Sequence, residues 1–176
     1  MACQIDDELF NRIYIDNCGL TDSTSSVLFQ GLQNLFQLKS VTLRHVSLGA
    51  QFVEQLKGIF AKFFPNNVDE LRIENCKITK EDSIELCRAL NGECYLKKLS
   101  LVQANLDEEC ILELSYYVEN NRYIQDLDIS KNQLRSIHML PLIRVLTDNK
   151  RLKYLNLSWN FLVPEIHGAE VVSLID

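Results

Sequence analysis

The sequence predicts a right-handed α/β solenoid, with a parallel sheet on its concave side and helices on its convex side, and three observations carry that prediction. A strand-like apolar pattern, LxxLxLxx(N/C)xL, returns six times. Its starts, near residues 10, 38, 68, 96, 124 and 152, are 28 residues apart except for one gap of 30. Each pattern is followed by apolar residues three and four apart, the periodicity of a helix. Strands in a parallel sheet lie about 4.8 Å apart whereas packed helices need roughly 10 Å, so stacking like on like bends the array with its strands inside.

The six segments are Phe10-Ile13-Ile15-Cys18-Leu20, Leu38-Val41-Leu43-Val46-Leu48, Val68-Leu71-Ile73-Cys76-Ile78, Leu96-Leu99-Leu101-Ala104-Leu106, Ile124-Leu127-Ile129-Asn132-Leu134 and Leu152-Leu155-Leu157-Asn160-Leu162. Their fourth and sixth positions point the same way with one residue between them, which predicts strands centred on 13–15, 41–43, 71–73, 99–101, 127–129 and 155–157. Six helices follow. Leu86, Leu114 and Leu142 form one helical column, and Leu90, Val118, Leu146 and Leu174 another; Leu28 with Leu56, and Leu32 with Phe60, continue both upstream.

Helix starts have their own signals. Thr79 followed by Asp82 imitates a capping box with the shorter acid, Asp107 stands at the aligned position, and Pro164 suits a first turn. Pro141 is discordant, and its ring predicts a fifth helix that begins or breaks there, leaving 136–140 as a separate turn. The two extra residues between the second and third units are expected to lengthen the helix exit at Phe64-Pro65-Asn66-Asn67. Phe63 and Phe64 cannot both face inward from a regular helix there; one folds back as a plug, or they form a convex docking spot.

The repeated LxxLxLxx(N/C)xL segment, with its 28-residue period and a helix after every strand, resembles the ribonuclease-inhibitor-like class of leucine-rich repeats, also found in NOD-like receptor sensor regions and Ran GTPase-activating proteins. The resemblance covers residues 10–176 and implies a horseshoe that binds other macromolecules, an architecture shared by many unrelated partners. Residues 1–176 are accordingly read as one leucine-rich-repeat domain. At the ninth position, where this class places Asn or Cys to bond the turn, Val46 and Ala104 cannot do so, and their turns are expected to rely on packing and backbone bonds alone. The apolar terminal units lack the polar caps of an autonomous solenoid. A fragment of a longer array, or end-to-end self-association through those units, is the expectation.

Composition narrows the function. The chain has 176 residues, 47% of them apolar, and a formal charge of -6. Its 18 basic residues do not gather, which disfavours nucleic acid as a partner. The opening MACQIDDELF is not a signal peptide, and no apolar run approaches the roughly 20 residues that span a bilayer, so a cytoplasmic location without membrane partners is expected. Six cysteines form no CxxC pair and read as structural thiols. His45, His138 and His167 do not converge, and none of the common nucleotide, hydrolase or metalloprotease motifs occurs. His45 with Arg44, Arg72 and Glu74 is the nearest approach to an acid–base set, but an open sheet excludes no water. No catalytic residue, metal or cofactor is assigned.

The third, fifth, seventh and eighth positions of each unit face the concave side and vary while the core columns do not. The candidate partner-binding residues are Trp159, Tyr154, Lys131, Asp128 and Asp126 in the C-terminal half, joined by Arg72, Arg44 and Tyr14. Trp159 and Tyr154 supply large amphipathic rings of the kind that anchor interfaces, although Trp159 could equally shield the last strand's edge. The charges could be plain solvation or a device that penalises wrong partners. The expected function is a non-catalytic module that binds a protein or peptide. The alternative is a structural segment or scaffold within a larger polypeptide or assembly, with a GTPase-regulating repeat domain behind it.

Overall fold

The computed structural model describes residues 11–32, 38–62, 68–92 and 94–163. The expected sixth helix, with Pro164, His167 and Leu174, lies outside those residues, as do Phe63, Phe64 and the Phe60 side chain. Strands and helices alternate: β1 (Arg12–Asp16), α1 (Asp22–Leu32), β2 (Ser40–Arg44), α2 (Ala50–Lys62), β3 (Glu70–Glu74), α3 (Lys80–Leu90), β4 (Lys98–Val102), α4 (Glu108–Asn120), β5 (Asp126–Asp128), α5 (Ser136–Asp148) and β6 (Tyr154–Asn156). The six strands form one parallel sheet in chain order. This is an α/β solenoid of the leucine-rich-repeat horseshoe type.

Register follows the apolar columns. Ile13, Val41, Leu71, Leu99, Leu127 and Leu155 are paired in succession across the sheet. Their side chains meet the inward faces of the helices, where Leu86, Leu90 and Leu114 have no solvent exposure. At the N-terminal end Phe29 and Phe52 pack edge to face with ring centres 5.0 Å apart, tying α1 to α2. The two-residue insertion leaves the register intact, because Val41 still opposes Leu71. It is taken up between the start of α2 and the start of β3.

Caps hold the helices where the sequence places them. Thr79 accepts from the Asp82 amide (3.1 Å) and Asp107 from the Cys110 amide (3.1 Å). Pro141 is a correction: α5 is continuous through it. The proline lacks only the N–H that would reach the carbonyl of Ile137, a half-exposed residue in the helix's first turn. That first turn is anchored independently, since Ser136 Oγ donates to the Val163 carbonyl (2.6 Å) and the Arg135 amide to His138 Nδ1 (3.3 Å).

A second correction concerns the ninth position. The side chain there bonds the preceding unit's turn as well as its own. Asn132 Oδ1 accepts from the Ala104 amide (2.8 Å) and the Leu106 amide (3.3 Å), while its Nδ2 faces the carbonyls of Leu101, Ile129 and Ser130 at 2.8, 2.9 and 3.0 Å. Asn160 repeats this one unit on, accepting from the amides of Asn132 and Leu134 at 3.0 Å each. Cys76 likewise donates back to the Leu43 carbonyl (3.5 Å). The turn around Ala104 is therefore held by a side chain from the next repeat, and what Ala104 omits is a bond to the turn before it. Asn105 partly substitutes there by donating to the Ile78 carbonyl (3.3 Å).

The buried cysteines behave as structural thiols; Cys3 lies outside the described residues. Cys76, Cys87, Cys94 and Cys110 are buried and free, and Cys18 is exposed and free. Burial pushes the Cys94 thiol up to about 11, which keeps it protonated and unreactive at neutral pH.

Candidate functional site

The outer face of the sheet carries the variable columns, and its backbone has a feature the residue pattern did not show. Every eighth position lies in the left-handed region: Asn17, His45, Asn75, Gln103, Lys131 and Trp159 have φ between 48° and 60°. Asparagine adopts this conformation readily, but a bulky side chain does so at a cost. The turn requires the conformation and does not require tryptophan. Trp159 is nevertheless 80% exposed, the most exposed large apolar residue among those described.

The N-terminal half of the face is a closed network. Tyr14 Oη donates to Asp16 Oδ2 (3.1 Å) and accepts from Arg44 Nη1 (3.3 Å), and Asp16 Oδ1 lies 2.7 Å from His45 Nδ1. The His45 hydrogen bond is the main reason the Asp16 carboxyl sits below its ordinary range. Arg44 Nε stands 3.3 Å from Glu74 Oε2, an ion contact without the alignment of a hydrogen bond. Arg72 Nε donates to Glu70 Oε1 (2.7 Å) and its Nη1 is 3.6 Å from Glu74. Ser40 and Ser100 complete the two glutamates at 3.0 and 3.1 Å. Burial alone would raise the Glu70 carboxyl, but Arg72, Ser40 and Lys98 outweigh it and leave it lowered. These charges satisfy one another.

The C-terminal half is more open. Arg72, Lys98, Ser100, Asp126, Asp128 and Tyr154 line a cavity of about 420 Å³ on the sheet surface. Lys98 Nζ is 3.6 Å from Asp126. Asp128 is held by the Ser130 amide (3.0 Å) and Asn156 Nδ2 (2.9 Å), so it presents a fixed carboxylate. Tyr154, 53% exposed, forms the far wall.

The structure thus gathers four of the sequence-derived candidates, Asp126, Asp128, Tyr154 and Arg72, around one cavity. Lys131 and Trp159 stand outside its lining, in the left-handed column at the edge where strands lead into helices. Tyr14 and Arg44 sit apart in the N-terminal network. Lys98 and Ser100 join the cavity because the register pairs them with Asp126 and Asp128. Not all outward positions are open: Ser40, Ser100, Val102 and Ser130 are buried. Among the described residues no group of three or more His, Cys, Asp or Glu is placed to hold a metal ion, and no helix is long and apolar enough to cross a membrane.

No family model matches the chain. It is 26% identical over 158 residues to NACHT, LRR and PYD domains-containing protein 5 of Mus musculus, with 72% of this chain and 13% of that protein covered. It is 28% identical over 163 residues to the ribonuclease inhibitor of Sus scrofa, with 92% of this chain and 34% of that protein covered. The chain therefore spans well under half the length of these relatives. Partial similarity to leucine-rich-repeat proteins and the repeating strand–helix unit agree with each other.

Proposed function

We propose that this chain is a non-catalytic module that binds a protein or peptide through the C-terminal half of its concave face. The observation that carries the reading is the contrast between the two halves of that face. In the N-terminal half the charges neutralise one another, while the C-terminal half sets Tyr154 and an oriented Asp128 around an open cavity and leaves Trp159 exposed one unit beyond Lys131. Exposed aromatic rings next to fixed polar groups are the composition of an interface centre. Support also comes from the likeness to a protein named for inhibiting ribonuclease, itself a protein. The unbridged buried thiols support a reducing, cytoplasmic setting.

The test places a photo-crosslinking residue at Tyr154 or, in a control, at exposed Leu112 on α4, and then measures the recovered partner by calorimetry against Trp159→Ala. Crosslinks from position 154 but not 112, with affinity weakened by about 2 kcal/mol or more, are expected. Unchanged affinity with lowered stability would assign Trp159 to edge cover and overturn the reading.

A further inference from the structure

We propose that the edge of the horseshoe where strands lead into helices, from Lys77 through Lys131 to Trp159, is a docking strip for an extended acidic segment of a protein partner. This rests on the reading of the chain as a protein-binding module and adds the chemistry of what it binds. A cavity of about 410 Å³ lies along this edge, bounded by Lys77, Lys80, Gln103, Lys131, Gln133 and His138. Among the described residues none of the three lysines has an ion-pair partner, whereas Arg44, Arg72 and Lys98 on the sheet are all paired. Unpaired cations are gathered here in a chain whose net charge is -6.

Asp107, whose side chain accepts from the Cys110 amide, is the one carboxylate among the described residues that line the cavity, against three lysines. His138 Nδ1 accepts from the Arg135 amide, so neutral His138 keeps its proton on Nε2 and is a further donor. The side chains that ring the opening are thus mostly donors, complementary to carboxylates.

Geometry sets the form of the occupant. Lys77 and Lys131 belong to units two strand spacings apart, about 10 Å, which three residues of a polyproline II segment cover with both side chains on one face. One unit beyond Lys131 stands Trp159, joined to it through the Lys131 amide and the Ser158 carbonyl (3.0 Å). The matching segment carries acids three residues apart followed by an apolar side chain that rests on the indole. Single-stranded nucleic acid offers phosphates to the lysines and a base to the indole, but it meets the chain's overall negative charge, and the oligonucleotide titration below separates the two.

Trp159 is the chain's single tryptophan, so its emission reports occupancy at this place. The intact chain is titrated with a short peptide carrying glutamates three residues apart and a following leucine. Parallel titrations use the same peptide with glutamines, and a short oligonucleotide. The acidic peptide is expected to blue-shift the emission and to bind about tenfold more tightly than the glutamine peptide, with affinity falling as salt rises. Lys77→Glu and Lys131→Glu should each weaken it about tenfold, and Lys150→Glu on the opposite edge should leave it unchanged. Equal binding of the glutamine peptide, equal loss with Lys150→Glu, tighter binding of the oligonucleotide, or no response at millimolar peptide would each overturn the proposal. Partner crosslinking from position 154 alongside a silent acidic peptide would remove this inference alone; loss of both would remove the binding reading as well.

Discussion

Replacing Asn132 by alanine should damage the repeat before its own. The side chain is buried and serves the Ala104 and Leu106 amides and the Leu101 carbonyl, all in the fourth unit. Alanine leaves those three groups without this partner at a position where the native residue is only 6% exposed. At about 1 kcal/mol for each buried group left unsatisfied, the loss is roughly 3 kcal/mol. Urea denaturation followed by circular dichroism should show a lowered midpoint at unchanged slope, with exposed Gln133→Ala as the near-silent control. Hydrogen exchange supplies the decisive signature, because the amides of Ala104 and Leu106 should lose protection ahead of those in their own helix, α4. Asn132→Asp makes a sharper version: the acceptor for both amides survives, but an anionic oxygen then faces three carbonyls, and stability should fall at neutral pH. A cost for Asn132→Ala no greater than for Gln133→Ala, or exchange effects confined to residues after 132, would refute the backward-reaching ladder.

Two further outcomes follow from the backbone and the charges. Gln103 and Trp159 occupy left-handed conformations with φ of 51° and 59°; glycine relieves about 1 kcal/mol of strain there and returns part of it as chain entropy, so Gln103→Gly and Trp159→Gly should raise the urea midpoint by the equivalent of about 0.5 kcal/mol. In Trp159→Gly that gain should accompany lost partner affinity, and a loss of stability would show that the indole serves the fold. The carboxyls of Asp16, Glu70 and Glu85 are held below their ordinary values; the stability they contribute is present above the unfolded value near pH 4 and is lost as pH falls through the lowered folded values. Glu70→Gln should flatten that acid limb of the urea-midpoint profile, and an unchanged limb would show that the Arg72 contact does not persist in solution.

The sequence by itself determined the array. Residues that must all leave water recur at one interval, and only a stack of strand–helix units puts Leu71, Leu99 and Leu127 in one dry column, so six strands, their register and the caps at Thr79 and Asp107 could be read directly. Hydrophobic periodicity reports the direction of a side chain within its own unit. It cannot report what a polar side chain meets in the next unit, and for that reason the backward reach of Asn132 and the bond that Ala104 receives were invisible. Pro141 misled because its ring is costly inside a helix taken alone, whereas here it forgoes one first-turn bond and that turn is anchored by Ser136 to Val163 and by the Arg135 amide to His138. The same division runs through the candidate site. The outward columns named Asp126, Asp128, Tyr154 and Trp159, but Lys98 joins them, and Tyr14 and Arg44 leave them, because ion pairs form across strands 28 to 30 residues apart in sequence and are settled by distance in the assembled sheet. The left-handed turn at each eighth position is likewise imposed by the sheet's exit into the next helix, whichever residue the sequence supplies there.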